Sequence, residues 1–146
     1  MRGCIKDKVK ILIKKYKTED PFIIADLLHI HVIEWPLHEE INGLYQYERR
    51  EKFIYINSSL PDYVQKVICA HELGHAILHP KTNCTFLKNH TLFNINKYEK
   101  EANLFAIEML ISDEKIENYK EYSLQQIAAI EKVPLEILKL KFQNKI

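Results

Sequence analysis

Apolar and polar positions recur along this chain with two different periods. Between Cys4 and Lys17, Ile5, Val9, Leu12, Ile13 and Tyr16 return at helical spacing with lysines between them, which predicts an amphipathic helix. Asp20-Pro21 then predicts a second helix, PFIIADLL, with Asp20 as N-cap and Pro21 at the first helical position. IHVIEWPL is dense in β-branched and aromatic residues and predicts a strand ended by Pro36. GLYQYERR and KFIYINSSL alternate with period two around a charged centre and predict a hairpin. Together these runs predict a small antiparallel sheet of about three strands.

The helical period returns at Pro61 and Asp62, which introduce a long helix over about residues 62–78, ended by His79-Pro80. Residues 80–95 show no period and are predicted as a loop. YEKEANLFAIEMLI places Ala102, Phe105, Ala106, Met109 and Leu110 on one stripe of a further helix. Ser123 with Gln126 forms a capping-box start for SLQQIAAIEK, and Pro134 opens a last helix, PLEILKLKF. No repeat, low-complexity tract or linker interrupts these elements. The expectation is one domain over 1–146: N-terminal helices and sheet to about 60, the central helices over 61–111, and C-terminal helices over 112–146.

Composition narrows the class. Apolar residues make up 47% and charged residues 28% of 146 positions, as in a soluble globular protein. A net charge of +1 gives no basic field for bulk nucleic-acid binding. The three cysteines, Cys4, Cys69 and Cys84, are an odd count without framework spacing, which favours reduced thiols in a cytosol. Cys4 follows Met-Arg-Gly with no apolar run, so neither signal peptide nor lipid anchor is expected. The strongest apolar segment, PFIIADLLHI, is too short for a membrane span and carries Asp26. The expected location is cytoplasmic.

One stretch of the central helix carries chemistry. ICAHELGHAILH places His71 and His75 four residues apart, on one helix face, where both imidazoles can reach one ion at about 2.0–2.1 Å. Glu72 lies about 100° round the helix. That is awkward for ligation but suited to taking a proton from an activated water. Val67, Ala70, Leu73, Ile77 and Leu78 cover the remaining circumference, and Gly74 allows a close approach by another element. A buried helix carrying two imidazoles and a carboxylate without partners would incur a heavy desolvation cost, so a metal centre is preferred over coincidence.

A catalytic zinc needs a third protein ligand. A third histidine in a His-x-x-Gly-x-x-His extension is excluded, because Lys81 and Leu78 occupy its positions. The next helix offers Glu99 and Glu101. Glu99 shares a face with Ala102 and Ala106, whose small side chains permit a close helix crossing, so Glu99 is favoured. Glu101 shares a face with Leu104, Phe105 and Glu108. The bland reading of both is an acidic helix start favoured by the dipole.

HELGHAILH followed by EKEANLFAIEMLI resembles the ImmA/IrrE zinc metallopeptidases of bacteria and their mobile elements. Glu99, Ala102, Asn103, Phe105 and Ala106 match the family's second motif in register, and INGLYQYERREKFIYINSSL resembles its hairpin. The likeness covers roughly residues 20–115; ISD at 111–113 departs from the usual Met-Pro. It implies an α+β zincin-like fold with the sheet packed on the active-site helix. It also implies one Zn2+ per chain held by His71, His75 and Glu99, with Glu72 as the catalytic base. The implied partner is a protein substrate, a helix-turn-helix repressor whose cleavage switches on a mobile element, prophage or stress response. The alternative is a zinc-stabilised regulator that sequesters a repressor without cutting it.

His79 lies about 6 Å beyond His75 along the axis, too far for direct ligation. It is either a helix-terminal histidine or a contact behind the ligands or to substrate. His90, Tyr98 and Glu101 are further candidates for such contacts, although loop histidines and rim tyrosines mostly make none. Cys84 could reach the metal as an inhibitory thiolate; an inert small residue is the preferred reading. Tyr63 is read as core or rim, and His29, His31 and His38 as belonging to the sheet and its edges. The C-terminal helices have a helix-turn-helix cadence but no basic recognition face. Packing or partner docking is preferred there to DNA binding.

Overall fold

A computed structural model describes residues 2–87 and 96–143. Helix α1 (Arg2–Tyr16) and α2 (Pro21–Leu27) precede β1 (His31–Trp35), β2 (Ile41–Glu48) and β3 (Glu51–Asn57). Helix α3 (Asp62–Leu78) follows, then β4 (Cys84–Leu87), α4 (Lys97–Leu110), α5 (Asp113–Glu117), α6 (Leu124–Glu131) and α7 (Leu135–Phe142). The caps read from sequence form. Asp20 accepts from Phe22 N at 2.9 Å, and Ser123 and Gln126 close a capping box on α6.

The sheet differs from the expected one. Among the described residues it has four strands in the order β1-β3-β2-β4, and it is mixed rather than antiparallel. Strands β2 and β3 form the predicted hairpin around Arg49 and Arg50, both at positive φ. Because β3 returns between its partner and β1, it pairs with β1 in parallel, His31 opposite Phe53. The fourth strand was expected as loop. Cys84–Leu87 is only four residues long, too short for periodicity to declare, yet it pairs antiparallel with β2, Phe86 opposite Gly43.

Helix α3 packs on β2 and β3 on one side and on α4 on the other, while α1 and α7 pack against α4. Two glycines set these approaches. A Cβ on Gly43 would lie 2.7 Å from both Ile68 Cγ2 and the Tyr55 carbonyl, and 3.3 Å from Glu72 Oε2. A Cβ on Gly74 would lie 3.1–3.2 Å from Phe105 Cβ and from Ala102 Cα and O. The element that Gly74 admits is therefore α4, at the residues flanking Glu99's face. Gly74→Ala is expected to spread this crossing and lower stability by about 1–3 kcal/mol despite alanine's better helix propensity, as overpacking does. Chemical denaturation would measure it; unchanged or higher stability would show that the crossing relaxes freely.

Lys52 of β3 donates to the Ala76 carbonyl at 2.8 Å and ties the last turn of α3 to the sheet. The buried tyrosine of β2, Tyr45, donates to the Pro80 carbonyl and fixes the chain just beyond it. Among the described residues, no helix is long and apolar enough to cross a membrane.

Candidate metal centre

The middle of α3 is the most deeply buried part of the helix, and it carries His71, Glu72 and His75, each fully inaccessible. Glu99 enters from α4. Asn96 caps that helix by accepting from Glu99's own N–H at 2.9 Å, which fixes Glu99 on the first turn over α3.

Hydrogen bonding determines which nitrogen of each histidine is free. Asn103 Oδ1 lies 2.7 Å from His71 Nδ1, and an amide oxygen only accepts, so His71 donates from Nδ1. Its Nε2 is then bare and faces Glu99 Oε1 at 2.9 Å. On the second histidine the chain is longer. Glu101 Oε1 accepts from His79 Nε2–H at 2.7 Å, leaving His79 Nδ1 to accept from His75 Nδ1–H at 3.2 Å. His75 Nε2 is therefore also bare; it lies 3.2 Å from Glu99 Oε2 and has no hydrogen-bond partner among the described residues.

Two lone pairs thus converge on the two oxygens of one carboxylate. Acceptors held this close need a cation between them. A second proton on His71 would satisfy one contact and leave His75 Nε2 and both Glu72 oxygens buried without partners among the described residues. A divalent metal fits the whole set. Ligands at about 2.0–2.1 Å in tetrahedral array stand roughly 3.3 Å apart, close to the spacing found. The ligand atoms of His71, Glu72 and His75 lie within 4.8 Å of one another, as do those of His75, Cys84 and Glu99.

The electrostatics agree. Burial lowers the His75 pKa and keeps the imidazole neutral. Burial would raise Glu99, but His71 and His75 outweigh it and hold the carboxylate well below its usual range. A neutral His75 imidazole and an ionised Glu99 carboxylate are the forms a metal binds. Glu72 moves the other way: burial, then the charge of Glu99, pushes it well above the ordinary value.

The structure brings together His71, Glu72, His75 and Glu99, and places His79 and Glu101 behind His75. Tyr98 is half-exposed, its ring 4.4 Å from that of His79. His90 lies outside the described residues. His31 sits on β1 beside Glu51 at 2.5 Å, remote from the centre. Sequence reasoning gave no role to Asn103, although its place four residues after Glu99 puts it on the same helix face. It also missed Phe86, whose ring stacks on His71 at 3.9 Å between centroids, because β4 itself was not foreseen.

Residues 25–143 match the peptidase M78 family, described as the IrrE N-terminal-like domain. The chain belongs to this ImmA/IrrE family. The IrrE-like chain is 49% identical over 139 residues to an uncharacterized immunity region protein 2 of Bacillus phage phi105, covering 94% of this chain and 88% of that one. It is 34% identical over 136 residues to the metallopeptidase ImmA of Bacillus subtilis strain 168, covering 89% and 79%. Membership in a metallopeptidase family accords with a buried His/Glu group able to hold a metal.

Proposed function

We propose that this chain is a zinc-dependent endopeptidase that cleaves a helix-turn-helix repressor and so relieves repression of a phage or other mobile element. The observation that carries the reading is the convergence of two bare imidazole nitrogens on Glu99 beside the unengaged carboxylate of Glu72. His71, His75 and Glu99 would hold the ion, one per chain. When bound, zinc supplies Lewis acidity to the scissile carbonyl and to the attacking water. Glu72 accepts the water's proton and returns it to the leaving amine. The repressor as substrate is supported by the immunity-region name of the phage relative and by the family resemblance.

A groove of about 480 Å3 runs beside Phe86, the ring stacked on His71, although none of His71, Glu72, His75 and Glu99 lines it. It is floored by Val64, Val67 and Ile68, the stripe of α3 that continues to His71, and walled by Phe86, Ala128 and Ile137. The C-terminal helices α6 and α7 thus contribute to a cleft beside the centre, where sequence reading left them as packing or docking elements.

The test is incubation with purified helix-turn-helix repressor proteins, any encoded next to this gene first, with and without a chelator. Fragments that appear only with metal support the reading. A stable complex without fragments would instead make the protein a sequestering regulator.

His79 and Glu101 act here as positioning residues that hold His75 in its Nδ1–H tautomer. Glu101→Ala is expected to weaken zinc binding about 10–100-fold in competition with a chromophoric chelator, and Glu101→Gln, which still accepts from His79, far less. Equal affinities for the two variants would remove the relay from the account.

A further inference from the structure

We propose that Cys84 is a fourth, self-supplied ligand of the metal centre, a thiolate latch closing the position that substrate needs; this rests on the metallopeptidase reading above. Strand alternation delivers the thiol. Alternate residues of a strand face the same way. In β4, Cys84 and Phe86 are the half-buried pair, while Thr85 and Leu87 are exposed. Phe86 lies flat on His71. Cys84, two residues earlier, descends further along α3, and its Sγ comes within 4.8 Å of the ligand atoms of His75 and Glu99.

A cysteine alone would carry nothing. The second observation is His75 Nε2, a fully buried atom that has no hydrogen-bond partner among the described residues and lies 3.2 Å from Glu99 Oε2, in the same three-residue group. Sulfur at about 2.3 Å and nitrogen at about 2.0–2.1 Å on one tetrahedral zinc stand roughly 3.6 Å apart, so a modest side-chain adjustment completes the set. The thiol's own hydrogen bond is a long 3.5 Å contact with the Thr82 carbonyl; burial, then Glu99 and Glu72, push the thiol up to about 11, which the charge of the bound metal must offset.

Closure breaks the S–H bond, and the sulfur lone pair goes to the metal. The proton leaves to solvent, which the half-buried thiol reaches. No oxidant or reductant enters, and opening is the reverse. The latched state is silenced because the open coordination position is filled. A site with four protein ligands is the closed, structural type; releasing one restores the catalytic type.

Cobalt-substituted protein tests the ligand directly. Wild type is expected to show a near-ultraviolet thiolate-to-cobalt charge-transfer band that Cys84→Ser loses and Cys69→Ala keeps. Cys69 is a control because its sulfur lies in the core. Iodoacetamide, mapped by peptide mass, should modify Cys84 at least about tenfold more slowly in zinc-loaded than in chelator-treated protein. Cys84→Ser should cleave the repressor several-fold faster than wild type. Absence of both the band and the protection overturns the proposal whatever the cleavage rates, and so does a band with equal rates. A band without cleavage by either protein keeps the ligand assignment and sinks the peptidase reading.

Discussion

Glu72→Gln is expected to keep the metal and to lower peptide hydrolysis by roughly 10²–10⁴-fold, the usual contribution of a positioned general base. The amide matches the carboxylate in shape but does not take a proton. Its fit beside Gly43 is preserved, since Oε2 already sits where a Cβ on residue 43 would come within 3.3 Å. Stability should move oppositely to activity. Glu72 is fully buried, neither oxygen has a hydrogen-bond partner among the described residues, and Glu99 repels it, so removing the carboxylate should raise the melting temperature of the metal-free protein. Metal content by mass spectrometry, cleavage rate and thermal denaturation together read the three effects. Wild-type cleavage by this variant would refute the base assignment. Loss of the metal with the charge would make Glu72 a ligand, which its grouping with His71 and His75 within 4.8 Å allows geometrically.

The parts of the centre carried on long helices were legible in the sequence, and those carried on short segments were not. His71 and His75 announce themselves because helical spacing converts i,i+4 into one face. Glu99 could be preferred over Glu101 because the alanines beside it mark where α3 comes close. The two glutamates then divide roles in a way periodicity alone does not reveal. Glu101 stands off the alanine face yet reaches His79, because α3's last turn runs past the start of α4. Strand β4 escaped notice since four residues with one aromatic have no measurable period, and both Phe86 and the placement of Cys84 went with it. The parallel pairing of β1 depends on where the hairpin inserts, a tertiary choice that local patterning does not encode.

The largest expected loss of stability lies away from the centre, at Lys141. Its side chain is 3% exposed and that of Glu108 4%, with Nζ 2.7 Å from Glu108 Oε1 and 2.8 Å from Asp113 Oδ1. This pair pins α7 to α4, the helix that carries Glu99. Lys141→Met fills the same volume but leaves Glu108, whose Oε2 already lacks a partner, as an uncompensated buried charge. The expected cost is about 3–5 kcal/mol, or roughly 10 °C in melting temperature for a chain of this size. Adding Glu108→Leu should recover most of it, because a buried ion pair replaced as a unit is often neutral or stabilising. If the double variant is no more stable than the single one, the loss comes from packing and not from the stranded charge. Asp113 supplies the pH dependence. Lys141 first, then Lys6, depresses its pKa from 3.8 to about 2, against the opposing effect of burial. A depressed carboxylate contributes stability that is complete above its unfolded pKa and is lost as pH falls through the folded one. Asp113→Asn should therefore cost a little at neutral pH, modestly because the side chain is 42% exposed, and the difference from wild type should fade between about pH 4 and pH 2. A difference that persists unchanged at pH 2 would assign the effect of that substitution to shape and not to charge.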